Sequence, residues 1–111
     1  MSEPIILHLQ LKNELVEIVI RVLHPMDAGG TLHPKTGRPV PPDFLQTIAI
    51  QLNERTLLEG QLGPALARNP EFRFSFRGAK TGDKFLVACT DNRGRSFEQR
   101  IAVPAFNSGL K

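Results

Sequence analysis

The chain has 111 residues, which suits one domain with a single two-layer core. A formal net charge of +3 is a mild excess, and there is no tryptophan or tyrosine, so the basic stripe with stacking aromatics that grips nucleic acid is not expected. No apolar run is long enough to cross a membrane, and the one cysteine, Cys89, cannot close an internal disulfide.

Taken in order, Ile5 to Leu11 alternates Ile5, Leu7, Leu9 and Leu11 against Ile6, His8 and Gln10, the period of a half-buried strand. The N-terminus before and through it, MSEPIILHLQLKNE, lacks a basic region and a small-residue cleavage site, so no secretory signal peptide is read there. Lys12-Asn13-Glu14 is a polar break of hairpin length. Leu15 to Leu23 is the longest and most β-branched run, with Val16, Ile18, Ile20 and Val22 on one face, and belongs in the middle of a sheet. His24 to Phe44 then holds five of the nine prolines and three of the nine glycines. Proline fixes φ and lacks the N–H, and glycine opens φ values other residues avoid, so this stretch is a long loop. Loops of this length in small domains are usually functional or disordered, and its prolines argue against full disorder because they reduce the freedom lost on folding.

Leu45 to Leu52 is a third strand with Ile48, Ile50 and Leu52 inward, and Thr56 to Leu62 a fourth, where Gly60 suggests a bulge or a close backbone contact. Gly63 to Pro70 is a second loop. Ala65 to Arg68 could form one helical turn, and Asn69 should be extended because a proline follows. Glu71 to Arg77 has the clearest alternation in the chain, and Phe72, Phe74 and Phe76 should all be buried. Lys84 to Thr90 turns Phe85, Val87 and Cys89 one way. Asp91-Asn92-Arg93-Gly94 is a tight turn, and Ser96 to Val103 closes the domain before Pro104. The tail from Ala105 to Lys111 has no periodicity and is expected to fray. Seven strands without a convincing helix make an all-β protein, an immunoglobulin-like sandwich of about seven antiparallel strands in one domain, 1–104.

Few residues here could carry chemistry. His24, Met26, Asp27 and His33 are close in sequence, and imidazole with thioether suits copper. The preferred reading is that Met26 and one histidine pack the loop onto the sandwich. A blue-copper arrangement needs a histidine after the cysteine, and all three histidines precede Cys89. Cys89 shares the phase of Phe85 and Val87, which makes it a buried thiol rather than a nucleophile. No serine lies on a nucleophile elbow, and Gly29-Gly30 does not open a phosphate loop. Arg73, Arg77 and Arg100 read as a solvated face. No catalytic residue and no cofactor is expected, which favours a binding or carrier role.

The loops carry a resemblance. HPMDAGGTLHPKTGRPVPPDF resembles the HPM…G…P…F signature of the SoxZ family. GPALARNPEFRFSFRGAKTGDKFLVACTDNRGRSFE is similar to that family's GPA…NP…FxFxF…GAKxGD…DNxG pattern. The resemblance runs from about His24 to Glu98. It implies an immunoglobulin-like subunit without catalytic residues of its own. Such a subunit pairs with a SoxY-like protein, whose cysteine carries sulfur intermediates to other Sox enzymes during thiosulfate oxidation. It also implies a periplasmic location reached by co-export with that partner. The partner-binding positions expected on this reading are His24, Pro25, Met26 and Arg38 in the first loop and Gly63, Pro64, Arg68, Asn69 and Pro70 in the second. The alternative is a stand-alone periplasmic copper-binding sandwich using His24, Met26 and His33.

Overall fold

Strict alternation lets each strand bury one face while its polar face stays wet, and two such sheets cover each other. The computed structural model describes residues 4–12 and 15–104. It has seven strands: β1 (Ile5–Lys12), β2 (Leu15–Val22), β3 (Leu45–Leu52), β4 (Arg55–Gln61), β5 (Glu71–Arg77), β6 (Lys84–Asp91) and β7 (Ser96–Ala102). All pair antiparallel, into a three-stranded sheet in the order β1-β2-β5 and a four-stranded sheet in the order β4-β3-β6-β7. This is the expected immunoglobulin-like sandwich. The described residues include no helix, so none is long and apolar enough to cross a membrane. Residues 13–14 of the first turn and the 105–111 tail lie outside the described residues.

The core is the sum of the inward phases. Ile5, Val16, Ile18, Ile20 and Val22 from one sheet meet Leu45, Ile48, Ile50, Phe85, Val87 and Cys89 from the other, all buried. Register stacks them in rows: Leu9, Ile18 and Phe74 lie side by side, as do Ile48, Cys89 and Phe97. The Phe76 and Phe85 rings are 5.7 Å apart, centroid to centroid. β2 is central, as its β-branched run predicts.

Three local expectations are corrected. Phe72, Phe74 and Phe76 face inward but are only half-buried, because β5 is the edge of its sheet and no strand among the described residues flanks its outer side. The bulge in β4 falls at Leu57 rather than Gly60: Ile50 pairs with Leu58 and the next residue, Gln51, with Thr56. A Cβ on Gly60 would meet Ile48 at an ordinary 3.5 Å. Ala65 to Arg68 makes no helical turn; Pro64 and Ala65 sit in a simple turn.

A second irregularity matters more. Gln46 is an extra residue in β3 where it pairs with β6, so Leu45 comes opposite Asp91 while Thr47 stays opposite Thr90. The bulge shifts the phase of β3. Leu45 therefore joins the core although it is out of step with Ile48, and Asp91 is drawn to the end of the sandwich where the long loop returns.

Cutting Ile18 to alanine should cost about 2–5 kcal/mol in denaturant unfolding, the usual loss for a buried aliphatic side chain. Phe74→Ala should cost less than the ~3–5 kcal/mol typical of a fully buried phenylalanine, because Phe74 is only partly buried at the sheet edge.

Candidate functional site

The long loop is an irregular hairpin rather than a free coil. Asp27 and Asp43 exchange backbone hydrogen bonds of 2.7 and 2.8 Å, and further out Thr31 accepts from Val40 and His33 from Gly37. Gly29 is required by close approach as well as by its φ of 81°: a Cβ there would lie 3.0 Å from the Pro42 nitrogen. The base of this hairpin is fixed, while its tip, residues 30–39, is exposed throughout.

At the base, His24 and Met26 turn into the protein, with 4% and 6% of their surface exposed. The His24 Nδ1 accepts the Met26 N–H at 3.2 Å, and the Met26 Sδ accepts the Leu45 N–H at 3.4 Å. These bonds hold Met26 at a φ of 49°, left-handed backbone that costs a non-glycine residue about 1–2 kcal/mol. The second loop is tied to the same place. Asn69 donates its N–H to the His24 carbonyl at 2.9 Å, and its Oδ1 accepts the His24 N–H at 2.9 Å. Val22 donates to the Pro70 carbonyl at 3.0 Å. Asn69 takes a φ of 53°, not the extended backbone expected before a proline, because this two-way bond needs the left-handed turn that asparagine tolerates.

Beneath this pair lies a charged cluster that sequence reasoning missed. Asp91 has no exposed side-chain surface. Its Oδ1 accepts the N–H groups of Arg93 at 3.0 Å and Arg95 at 2.8 Å, and its Oδ2 accepts the Arg95 Nε at 2.5 Å. The same guanidinium reaches Asp43 Oδ1 at 2.6 Å, bridging the β6–β7 turn to the returning arm of the hairpin. Asn92 adds three bonds to that arm: its N–H and Oδ1 pair with the Phe44 backbone at 2.9 and 2.8 Å, and its Nδ2 donates to the Pro42 carbonyl. Burial alone would raise the Asp91 carboxyl. The N–H groups of Arg95 and Arg93 and the Arg95 guanidinium outweigh it and hold the carboxyl below its ordinary value. One signal was available: Asp91 falls on the inward phase of Phe85, Val87 and Cys89, where an acid must find partners or not be there.

The ligand atoms of His24, Asp43 and Asp91 lie within 4.8 Å of one another, close enough to suggest a metal. The chemistry of the donors argues otherwise. His24 Nδ1 accepts an N–H, so the hydrogen of the neutral ring sits on Nε2, which then has no lone pair for a cation. Arg95 already holds an oxygen of each carboxylate. Nε2 lies 3.3 Å from Asp43 without the alignment a hydrogen bond needs, and at 3.6 Å Asp91 is out of range. The copper set fares no better, since His24 Nδ1, Met26 Sδ and His33 Nδ1 each accept a backbone N–H.

The expected partner-binding residues thus separate into two groups. His24, Met26, Asn69 and Pro70 are joined in the clamp, and of these only Asn69 is exposed. Pro25, Pro64 and Arg68 are exposed around it, and Gly63 is half-buried. Arg38 is at the exposed hairpin tip, and no hydrogen bond or ion pair among the described residues links its side chain to the rest. Cys89 is 1% exposed, and burial pushes its thiol up to about 11.

Residues 7–102 match the family model described as sulphur oxidation protein SoxZ. No curated protein matches the chain.

Truncating Asp91 to alanine should destabilise the fold by about 3–5 kcal/mol, the usual consequence of leaving one member of a buried ion pair alone. The folded carboxyl is depressed, so its contribution is complete above the ordinary value of 3.8 and is lost as pH falls through the lower folded value. Asp91→Asn should flatten that acid limb when stability is measured against pH. An unchanged limb would contradict the assignment.

Proposed function

The chain belongs to the SoxZ family of sulfur-oxidation proteins, and on that premise we propose that it is the non-catalytic half of a sulfur carrier. Its partner is a SoxY-like protein whose cysteine holds sulfur intermediates covalently during thiosulfate oxidation, presenting them in turn to other Sox enzymes. The pair works in the periplasm, exported together. The observation that carries the division of labour is Cys89. A thiol that is 1% exposed and carries a pKa of about 11 offers almost no thiolate at neutral pH, and thiolate is the form that attacks sulfur. This supports a reading in which the sulfur-bearing thiol belongs to the partner.

What this chain contributes is a shaped and pre-ordered surface. The His24–Asn69 clamp and the Asp91–Arg95–Asp43 bridge hold both motif loops in place before any partner arrives, which lowers the entropy lost on docking. Around the clamp stand exposed Pro25, Pro64 and Arg68, with Arg38 further out at the hairpin tip. On this reading the partner meets these loops, or the mobile arm that carries the sulfur lies beside them.

The test is to purify the chain with a SoxY-like protein and follow mass by light scattering on a sizing column. The expected result is a 1:1 complex at micromolar concentration, with at least about 1,200 Å² buried. Two separate peaks would contradict the reading. Charge reversal at Arg38 or Arg68 should slow association while leaving unfolding unchanged, since rim charges act mainly on encounter rate. Cys89→Ala should leave sulfur turnover by the reconstituted pair intact and alter stability alone.

A further inference from the structure

The sandwich has four strand edges, and three of them are guarded. β1 and β7 lie against each other across the two sheets, and the Gln99 amide donates to the Ile5 carbonyl at 3.4 Å, closing that side. The edge of β4 is broken by the bulge at Leu57 and interrupted by Gly60. Bulges of this kind stop a further strand from pairing.

The edge of β5 has no such device. Glu71–Arg77 pairs with β2 in unbroken register through all seven residues, without proline, glycine or bulge. No loop backbone among the described residues bonds to it. Its inward residues, Phe72, Phe74 and Phe76, stay half-buried, so the core is incomplete along this side, and half-buried Leu57, Leu58, Leu62 and Leu66 come from β4 and the loop after it. Regular, unbroken and apolar on one face, this is the kind of edge to which another strand adds.

The sequence of the strand identifies the occupant. EFRFSFR is close to self-complementary when laid antiparallel on itself about Phe74. Glu71 then faces Arg77 of the second copy, Phe72 faces Phe76, Arg73 faces Ser75, and Phe74 faces itself. Opposite charges meet at both ends, no like charges are directly opposed, and three aromatic pairs line the inner face, each of these being a favourable cross-strand pair. The arrangement is isologous, the commonest symmetry for a homodimer. We propose that β5 is a pairing edge and that in the isolated chain a second copy occupies it, joining the two three-stranded sheets into one six-stranded sheet across a two-fold axis at Phe74. The proposal stands on the edge alone and does not depend on the carrier reading.

Position 75 tests the register. Ser75 is exposed on the outer face, opposite Arg73 of the second copy but beside Glu17 of its own β2. Ser75→Glu should tighten the dimer and Ser75→Arg loosen it, each by about 2- to 30-fold, since symmetry places the pair twice in the interface. Within one chain the order reverses, because glutamate at 75 sits beside Glu17 and arginine there is attracted to it. A general effect on folding therefore cannot imitate the expected result. Sedimentation or light scattering of the purified chain across a concentration series should show mass rising from 12.3 kDa toward twice that value, with the two variants displaced in opposite directions. A monomer at every concentration would overturn the proposal. So would a dimer that both variants shift the same way, or that neither variant shifts.

Discussion

A carboxylate with no exposed surface is costly in a protein interior unless it is paired and hydrogen-bonded. Asp91 is such a group, and meeting its needs organises one whole end of the sandwich. Two backbone N–H groups and one guanidinium converge on it. The guanidinium cannot serve Asp91 without also lying against Asp43, and Asp43 cannot move without opening its backbone pairing with Asp27. The tight turn after β6, the returning arm of the long hairpin and the HPM segment therefore form one unit. The bulge at Gln46 makes this possible by bringing Leu45 and Asp91 opposite each other at the sheet end.

The same chain of dependence explains why a segment so rich in proline and glycine is ordered at its base. The second loop enters through Asn69, whose side chain and backbone both bond to His24. His24 in turn orients Met26 through its ring nitrogen, and Met26 plugs the core. The interaction surface proposed above would thus rest on residues that are mostly buried: on that proposal a partner would meet the backbone and the exposed Pro25, Pro64 and Arg68 beside them. The one thiol, Cys89, is a core group beside Ile48 and Phe97, which supports the proposed carrier role.

Much of the fold could be read from alternation, because a period of two is a direct consequence of pleating. The phases of β2 and β6 follow from it, and the central place of β2 follows from its long β-branched run. Alternation cannot tell an edge strand from a central one, and for that reason Phe72, Phe74 and Phe76 read as fully buried when they are half-open. Bulges were also hidden, since one extra residue changes phase without leaving a compositional mark; glycine drew attention to position 60 when Leu57 is the irregular residue. In the site, proline, glycine and the HPM and NP motifs marked the right loops. Of the residues that join them, Asp43 is far in sequence from Asp91, Asn92 and Arg95, and all four are ordinary in type. The inward phase of Asp91 hinted at its partners, and the DNxG motif marked Asp91 and Asn92 only as a turn. Asn69 shows the limit of a local rule: the preference of a pre-proline residue for extended backbone gives way to two hydrogen bonds formed with a residue 45 positions earlier.

The central claim is that the two motif loops are locked to each other and to the β6–β7 turn in the free chain. Amide hydrogen exchange followed by NMR tests this residue by residue. The account predicts that the N–H groups of His24, Met26, Asp43, Phe44, Asn69 and Arg95 exchange as slowly as those of β2, because each is bonded within the clamp or its bridge. Gly30 and Thr36 at the exposed hairpin tip, whose N–H groups find no hydrogen-bond partner among the described residues, should exchange far faster. If the clamp amides exchanged as fast as the tip, the loops would not be pre-ordered, and the account would be wrong.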